Sequence, residues 1–330
     1  MRNLKAFQNS TRRKALKILG VSFVGTLGYA LYNFDKKIIK KSYWTGSVLN
    51  APAKIEIHST DKRLNNYIIK KIDELVFSYE NIFNLQNKSS EINTLNSKKV
   101  LYNASPDLTE VIKNAQFISK NTEGLFDITV QPLWELYFEN FIINNKKDPP
   151  DKNKIRETLK LVNWKTINVV ENKISINNKL SSITLNGIAQ GWITDQITTL
   201  LKKNGFSNTL VDFGESYASG LYEEKGNWNI LIQGRDTEKV ISLSNKAIAT
   251  SAGHGTIFEP TMKYHHIFNT KNGLSSNNFK TVSIISNKAW LADAISTSAL
   301  SMNKESLLEL SKNLNVEAIV QDKNKLIRLS

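Results

Sequence analysis

The chain has 330 residues, 40% of them hydrophobic and 22% charged, with no cysteine and a formal charge of +14. That composition describes a soluble fold with a real core, in one large domain or two modest ones, and excludes disulfides, thiolate metal sites and cysteine nucleophiles. Residues 1–41 hold ten Lys/Arg against one acid, Asp35, which leaves only +5 for residues 42–330 and removes the main support for a nucleic-acid function.

The basic terminus reads as a targeting segment. Arg12 and Arg13 precede an apolar run over 18–32 that is broken by Gly20, Gly25 and Gly28. The run is shorter than the roughly 20 apolar residues of a spanning helix. A basic stretch followed by a short apolar one predicts an export signal, and the paired arginines point to the twin-arginine route. The small-residue cleavage site at Gly28-Tyr29-Ala30 is weak, so an uncleaved anchor is the alternative. The expected folded unit is 42–330.

A short strand is predicted around residues 54–59, then a long amphipathic helix over 61–86, from apolar residues at helical spacing. Ser89-Ser90-Glu91 marks a capped helical turn, and Ser105-Pro106-Asp107 starts a helix that should end near Asn121, before Gly124. Asp127 sits among apolar neighbours, where a lone Asp is usually a cap. The polar stretch 141–153, with Pro149-Pro150, predicts an exposed insertion. TINVVENKISI reads as a hairpin turning at Glu171-Asn172. A strand ending near Leu185 should then lead through Gly187, Ala189 and Gly191 into a helix to about Lys203. Such a glycine-bearing turn can hold a phosphate or merely pack closely.

Three of the four histidines fall in 250–273, TSAGHGTIFEPTMKYHHIFNTKNG. TSAGHGT allows backbone N–H groups to approach an anion. KYHHIF has enough apolar bulk for a strand that would deliver His265 or His266; the alternative is one buried and one wet imidazole on opposite faces. LADAISTSALSM predicts a helix with Asp293 and Thr297 at i, i+4 on one face. A carboxylate and a hydroxyl one turn apart are hard oxygen ligands suited to magnesium, and the apolar surroundings make Asp293 a semi-buried acid in need of a partner. An exposed Asp beside a Thr bonded to its own helix is the plainer alternative.

With these stretches in order, the sequence resembles the ApbE family of flavin transferases over 44–303. The matching pieces are FSYENIFNLQNKSSEINTLN, GLFDITVQPLWELY, LNGIAQGWITDQI, LVDFGE, AIATSAGHGT, YHHIFNTKNG and LADAISTSAL. The resemblance implies a mixed α+β, T-fold-like architecture of two intimately joined subdomains with FAD between them. It implies magnesium-dependent transfer of FMN from FAD to a threonine hydroxyl of an acceptor flavoprotein, with release of AMP. FAD hydrolysis to FMN and AMP, or non-catalytic flavin binding, are the alternatives. By position it implies Asp293, Thr297 and the main-chain oxygen of Gly187 as metal ligands and His266 as general base. Leu49, Leu125, Phe126, Asp127, Thr184, Gln190 and Ile267 become the FAD contacts. The family context implies a periplasmic enzyme, free or tethered to the inner membrane, acting on a membrane electron-transfer protein. Three departures stand out. Gln86 replaces an aromatic over the flavin, Thr184 and Gln190 replace an Asp and a Lys, and HIFNTKNG replaces HIIDPxTG, which predicts a looser turn.

Overall fold

The computed structural model describes residues 40–322 and 324–329. Strands β1 (Lys40–Val48) and β2 (Ala51–Ser59) pair antiparallel with Val48 opposite Ala51. Both residues of the turn between them are left-handed, Leu49 at φ 49° and Asn50 at φ 66°. That conformation matches the twist of a two-residue hairpin, but a leucine adopts it only under constraint. The constraint is Glu80, whose Oε1 accepts from the Leu49 N–H at 2.6 Å. Strand β1 begins inside the expected targeting segment, so Lys40 and Lys41 belong to the sheet. Residues 1–39, with the arginine pair, lie outside the described residues.

Helix α1 (Lys62–Phe83) starts where Asp61 accepts from the N–H groups of Arg63 and Leu64. Its apolar stripe, Ile68, Ile72, Val76, Tyr79, Ile82 and Phe83, is buried. Ser90 and Ser105 cap α2 (Glu91–Lys98) and α3 (Pro106–Asn121), as their sequences predict. A small sheet joins β3 (Val100–Leu101) to the hairpin β4 (Ile167–Val170) and β5 (Lys173–Ile176), which turns at Glu171 with φ 53°. Helices α4 (Gln131–Phe138) and α5 (Lys152–Leu159) lie between. The exposed insertion is shorter than the sequence suggests and covers 142–149. Phe141 is excluded from it because its ring stacks on Phe258, with centroids 6.4 Å apart.

The second half holds α6 (Ala189–Lys203), β6 (Asn208–Asp212), β7 (Ser216–Ser219), β8 (Trp228–Gly234), β9 (Thr237–Leu243) and β10 (Lys246–Ala252). After the short pair β11 (Phe268–Asn269) and β12 (Leu274–Ser275) come β13 (Thr281–Ser286), α7 (Ala289–Ala299), α8 (Lys304–Asn313), β14 (Glu317–Asp322) and β15 (Lys325–Arg328). Eight strands form the main sheet in the order β1-β2-β6-β7-β10-β13-β14-β15, with neighbours antiparallel. Side chains alternate between its faces. Val211, Ala249, Val282, Ile284, Ala318 and Val320 join the core under the helices, whereas Leu210, Ile248, Ile285 and Ile319 pack with Trp228, Ile232 and Ile241 of the β8–β9 hairpin. A smaller cluster of Leu133, Tyr137, Phe141, Ile155, Phe258 and Phe268 forms a second body beside the sheet.

Two expected strands do not form. Residues 181–185 pair with no strand among the described residues. Asn96 brackets Ile183, accepting from its N–H at 2.7 Å and donating to its carbonyl at 2.9 Å, while the Thr184 N–H donates to the Ile128 carbonyl. In KYHHIF only His265 makes a bridge, to Ile257, before β11 begins at Phe268. That bridge closes through the His266 N–H to the Thr256 carbonyl and the Phe258 N–H to the Tyr264 carbonyl, but the His265 N–H turns to Ser275 Oγ and the pairing extends no further.

Candidate active site

The site begins at the junction of α6 and α7. Helix α6 has no side-chain cap of its own at Ile188. A carboxylate from α7 takes that part, because Asp293 Oδ2 accepts the Gly191 N–H at 3.2 Å. The reverse bond is also made. Asp195 of α6 accepts the N–H groups of Ala289 and Trp290, at 3.0 and 3.1 Å, at the start of α7. Each helix therefore supplies the acid that satisfies the other's orphan donors and favours its dipole. Gly191 makes this closeness possible, since a Cβ there would lie 2.5 Å from the Ala289 carbonyl oxygen and 2.8 Å from Asp293 Cβ.

Thr297, one turn beyond Asp293, faces the chain at Gly187, where a Cβ would meet its hydroxyl oxygen at 3.2 Å and Phe126 at 3.4 Å. Ser251, at the end of β10, lies 3.3 Å from the Thr297 hydroxyl and 2.8 Å from that of Ser296. Thus three sequence-distant pieces, Gly187, Asp293 with Thr297, and the start of TSAGHG, meet in space. Asp293 is only 4% exposed, and burial pushes its pKa up to about 7. Among the described residues it forms no ion pair. Among the described residues, too, no three His, Cys, Asp or Glu side chains gather as a preformed metal cluster. A cation here would instead be held by carboxylate, hydroxyl and main-chain oxygens. Buried hard oxygen donors, with no protein cation beside them among the described residues, fit magnesium chemistry.

The histidines divide by their hydrogen bonds. His265 is 1% exposed, its Nε2 lies 2.9 Å from the Ser276 carbonyl, and its Nδ1 accepts the Ile267 N–H at 3.3 Å. A carbonyl can only accept, so Nε2 carries the proton, both ring nitrogens are used, and burial lowers the pKa. His265 is a core histidine. Its ring fills the space where Gly253 would carry a Cβ, at 2.6 Å. His266 is half-buried and bonds the Thr256 carbonyl through Nδ1 at 3.0 Å, which places the ring proton on Nδ1 and the lone pair on Nε2. It thus packs against the glycine loop that continues from Ser251.

The positions implied for FAD surround this junction unevenly. Gln190 donates to the Phe213 carbonyl at 3.0 Å and reaches the Val48 carbonyl at 3.5 Å, which joins α6 to the strained hairpin turn at Leu49. Leu125 and Phe126 follow Gly124 at φ 80°, and Phe126 is buried beside Gly187. Ile267 is buried next to His266. Thr184 is half-buried, and its hydroxyl accepts the Asn186 N–H. Asp127 behaves as the cap its sequence context predicts. One oxygen accepts from the Thr129 N–H and hydroxyl and the other from the Trp164 N–H. It borders a cavity of about 230 Å³ with Gly124, Trp164, Thr270 and Lys271, a space that does not include Asp293 or His266. Gln86 is exposed.

The NTKNG turn is firmly tied. Asn269 accepts the Lys271 N–H at 2.9 Å, Thr270 donates to the Gly124 carbonyl, Lys271 to the Glu123 carbonyl, and Tyr137 to the Gly273 carbonyl at 3.0 Å. These bonds replace the restraint of the missing proline and clamp the turn to the loop before Leu125. Sequence reasoning missed Asp195, Ser251 and Glu80. Only an acid inside a helix pattern hinted at Asp195; Ser251 lay in TSAGHGT, which pointed to its backbone and not its side chain, and nothing local marked Glu80.

Comparison with known proteins gives these contacts a setting. The sequence profile of the ApbE family matches residues 49–320. The FAD:protein FMN transferase of Buchnera aphidicola from Schizaphis graminum is 26% identical over 317 residues, 88% of each chain. That of Vibrio cholerae is 26% identical over 246 residues, 71% of this chain and 73% of the relative. The solved flavin transferase ApbE from Vibrio cholerae superposes with a TM-score of 0.76 at 22% identity, over 88% of this chain and 98% of that one. The Pseudomonas stutzeri flavinyl transferase ApbE gives 0.74 at 19% identity, over 88% and 94%. The class is therefore a mixed α+β enzyme with the flavin-transferase fold. The chain belongs to the ApbE family.

Proposed function

We propose that this chain transfers FMN from FAD to a threonine hydroxyl of an acceptor flavoprotein and releases AMP. The observation that carries the reading is the meeting of Gly187, Asp293 and Thr297 at the α6–α7 junction, beside the loop that holds His266. Asp293, Thr297 and the Gly187 main-chain oxygen would hold a magnesium ion, which when bound supplies charge stabilisation for the pyrophosphate. His266 Nε2 takes the proton of the threonine hydroxyl, a task suited to a neutral imidazole. The threonine oxygen forms a bond to the FMN phosphorus, the pyrophosphate P–O bond breaks, and AMP leaves with the electron pair. The hairpin turn at Leu49, the 125–126 loop, Gln190 and Ile267 hold the flavin half; Thr184 and the main chain at Asp127 border it.

The test is incubation with FAD and magnesium, with and without an acceptor domain. Covalent flavin fluorescence on the acceptor together with AMP is the expected result. AMP without labelled acceptor would assign hydrolysis instead, the reading that an uncovered flavin at the exposed Gln86 would favour.

The same proposal places the enzyme outside the inner membrane, exported by the N-terminal segment that holds Arg12 and Arg13 and acting on a membrane electron-transfer protein. Its support is the Arg12-Arg13 pair before the short apolar run. Among the described residues no helix is long and apolar enough to cross a membrane. Replacing both arginines with lysine should stop export and leave activity in extracts intact; continued export would refute the twin-arginine assignment.

A further inference from the structure

The turn between β6 and β7 carries an acid that the mechanism above does not use. Glu215 follows Gly214, whose φ is 104°, and is only 9% exposed. Among the described residues its buried Oε2 has no hydrogen-bond partner. A buried carboxylate oxygen left in that condition is costly, so the site is built for something that neutralises it. The main chain fixes the residue. The Glu215 carbonyl accepts the Phe213 N–H at 3.1 Å and lies 3.5 Å from the Thr194 hydroxyl. Thr194 is three residues beyond Gly191 on α6, hence on the same face, and Gly191 is the residue bonded to Asp293.

Glu215 and Asp293 are thus two buried carboxylates on one flank of α6. Burial first, then the charge of Asp293 and that of Asp212, push the Glu215 pKa well above the usual carboxylate range. Among the described residues neither Glu215 nor Asp293 makes an ion pair that would offset this. The α7 acid and the β6–β7 acid lie on neighbouring faces of α6, and two buried carboxylates so placed are hard oxygen ligands for a divalent cation.

We propose that Glu215 supplies a second carboxylate to the divalent-cation site, so that the cation is gripped between α7 and the β6–β7 turn. The proposal rests on the reading of Asp293 and Thr297 as cation ligands, and adds to that set a residue from a different element. It also gives the LVDFGE stretch a purpose: Gly214 permits the bend that turns the next side chain inward. With two carboxylates the site would carry enough charge to hold magnesium before FAD arrives, rather than only as its pyrophosphate complex.

The test is Mn²⁺ binding to the full chain without FAD, read from the loss of the free-ion EPR signal, alongside thermal unfolding in EDTA and in magnesium. Glu215→Gln and Asp293→Asn should each weaken Mn²⁺ binding by at least about tenfold, because charge count sets affinity at such sites. In EDTA, Glu215→Gln should unfold at or above the wild-type temperature, since the amide keeps the shape and removes an acid whose ionisation the buried site opposes; magnesium should then raise its Tm less than it raises that of the wild type. Wild-type Mn²⁺ affinity in Glu215→Gln, with loss in Asp293→Asn, overturns the role of Glu215 and leaves the cation site standing. Wild-type affinity in both overturns the cation reading as well. If Glu215→Gln does not fold, Glu215→Asp decides, because it keeps the charge but withdraws it by one methylene: weakened binding supports the proposal and unchanged binding refutes it.

Discussion

His266 and His265 are neighbours whose hydrogen bonds set them apart. The His265 ring is used at both nitrogens inside the core, whereas the His266 ring is oriented by Thr256 with its lone pair on Nε2. His266→Asn should lower FMN transfer by about 10²–10⁴, the usual worth of a general base, without changing FAD affinity. Added magnesium should not restore it, while raised pH should restore part, because solvent then shares the deprotonation. His265→Asn should instead lower the melting temperature. The doubled histidine was legible in the sequence, as was the expectation that one would be buried and one wetter. The strand expected to carry them was not, because residues 263–267 make a single bridge, Ile257 to His265, and the His265 N–H turns to Ser275 Oγ.

Helices α6 and α7 form the element that makes the site, and each depends on the other's acid. Asp195 is largely buried, and burial raises its pKa to about 6 against the two backbone bonds that lower it. The sign follows from linkage. A carboxyl whose folded pKa lies above its unfolded value favours the folded state while protonated, and that contribution is lost as pH rises through the folded value. Wild-type stability should therefore decline from about pH 4 to about pH 6 on this account, and Asp195→Asn should flatten the profile by roughly 1–3 kcal/mol across that window. Thermal unfolding at stepped pH checks it; an unchanged slope would mean that another acid dominates. The reciprocal caps were hidden in the sequence because the two acids lie about a hundred positions from their donors. Gly191 was visible as a small residue in a turn, but its partner Ala289 was not. Where the caps are local, at Asp61, Ser90 and Ser105, the helix starts could be read directly.

At the scale of the molecule, the sequence disclosed the order of elements and the family, since capping residues and apolar periods are local. It did not disclose which loops meet. The Gln190 contacts at Phe213 and Val48, the strained turn at Leu49 held by Glu80, and the clamp of Lys271 on Glu123 all join distant stretches. The lower boundary of the fold also moved. Lys41 binds Glu223 at 2.5 Å and the Tyr222 hydroxyl at 2.7 Å, so a chain cut before Lys40 should melt as the longer one does. A cut before Ser42 should lose a little, at most about 1 kcal/mol, because these partners are partly exposed. The account as a whole stands on Asp293. Asp293→Asn can still accept the Gly191 N–H, so the fold and the α6 cap survive while the charge is removed. The direct measurement is FMN transfer to an acceptor by this variant, titrated with magnesium. The account predicts almost no transfer at low magnesium and partial recovery at high magnesium, with FAD still bound. Full transfer at low magnesium would contradict it and reduce Asp293 to a helix cap.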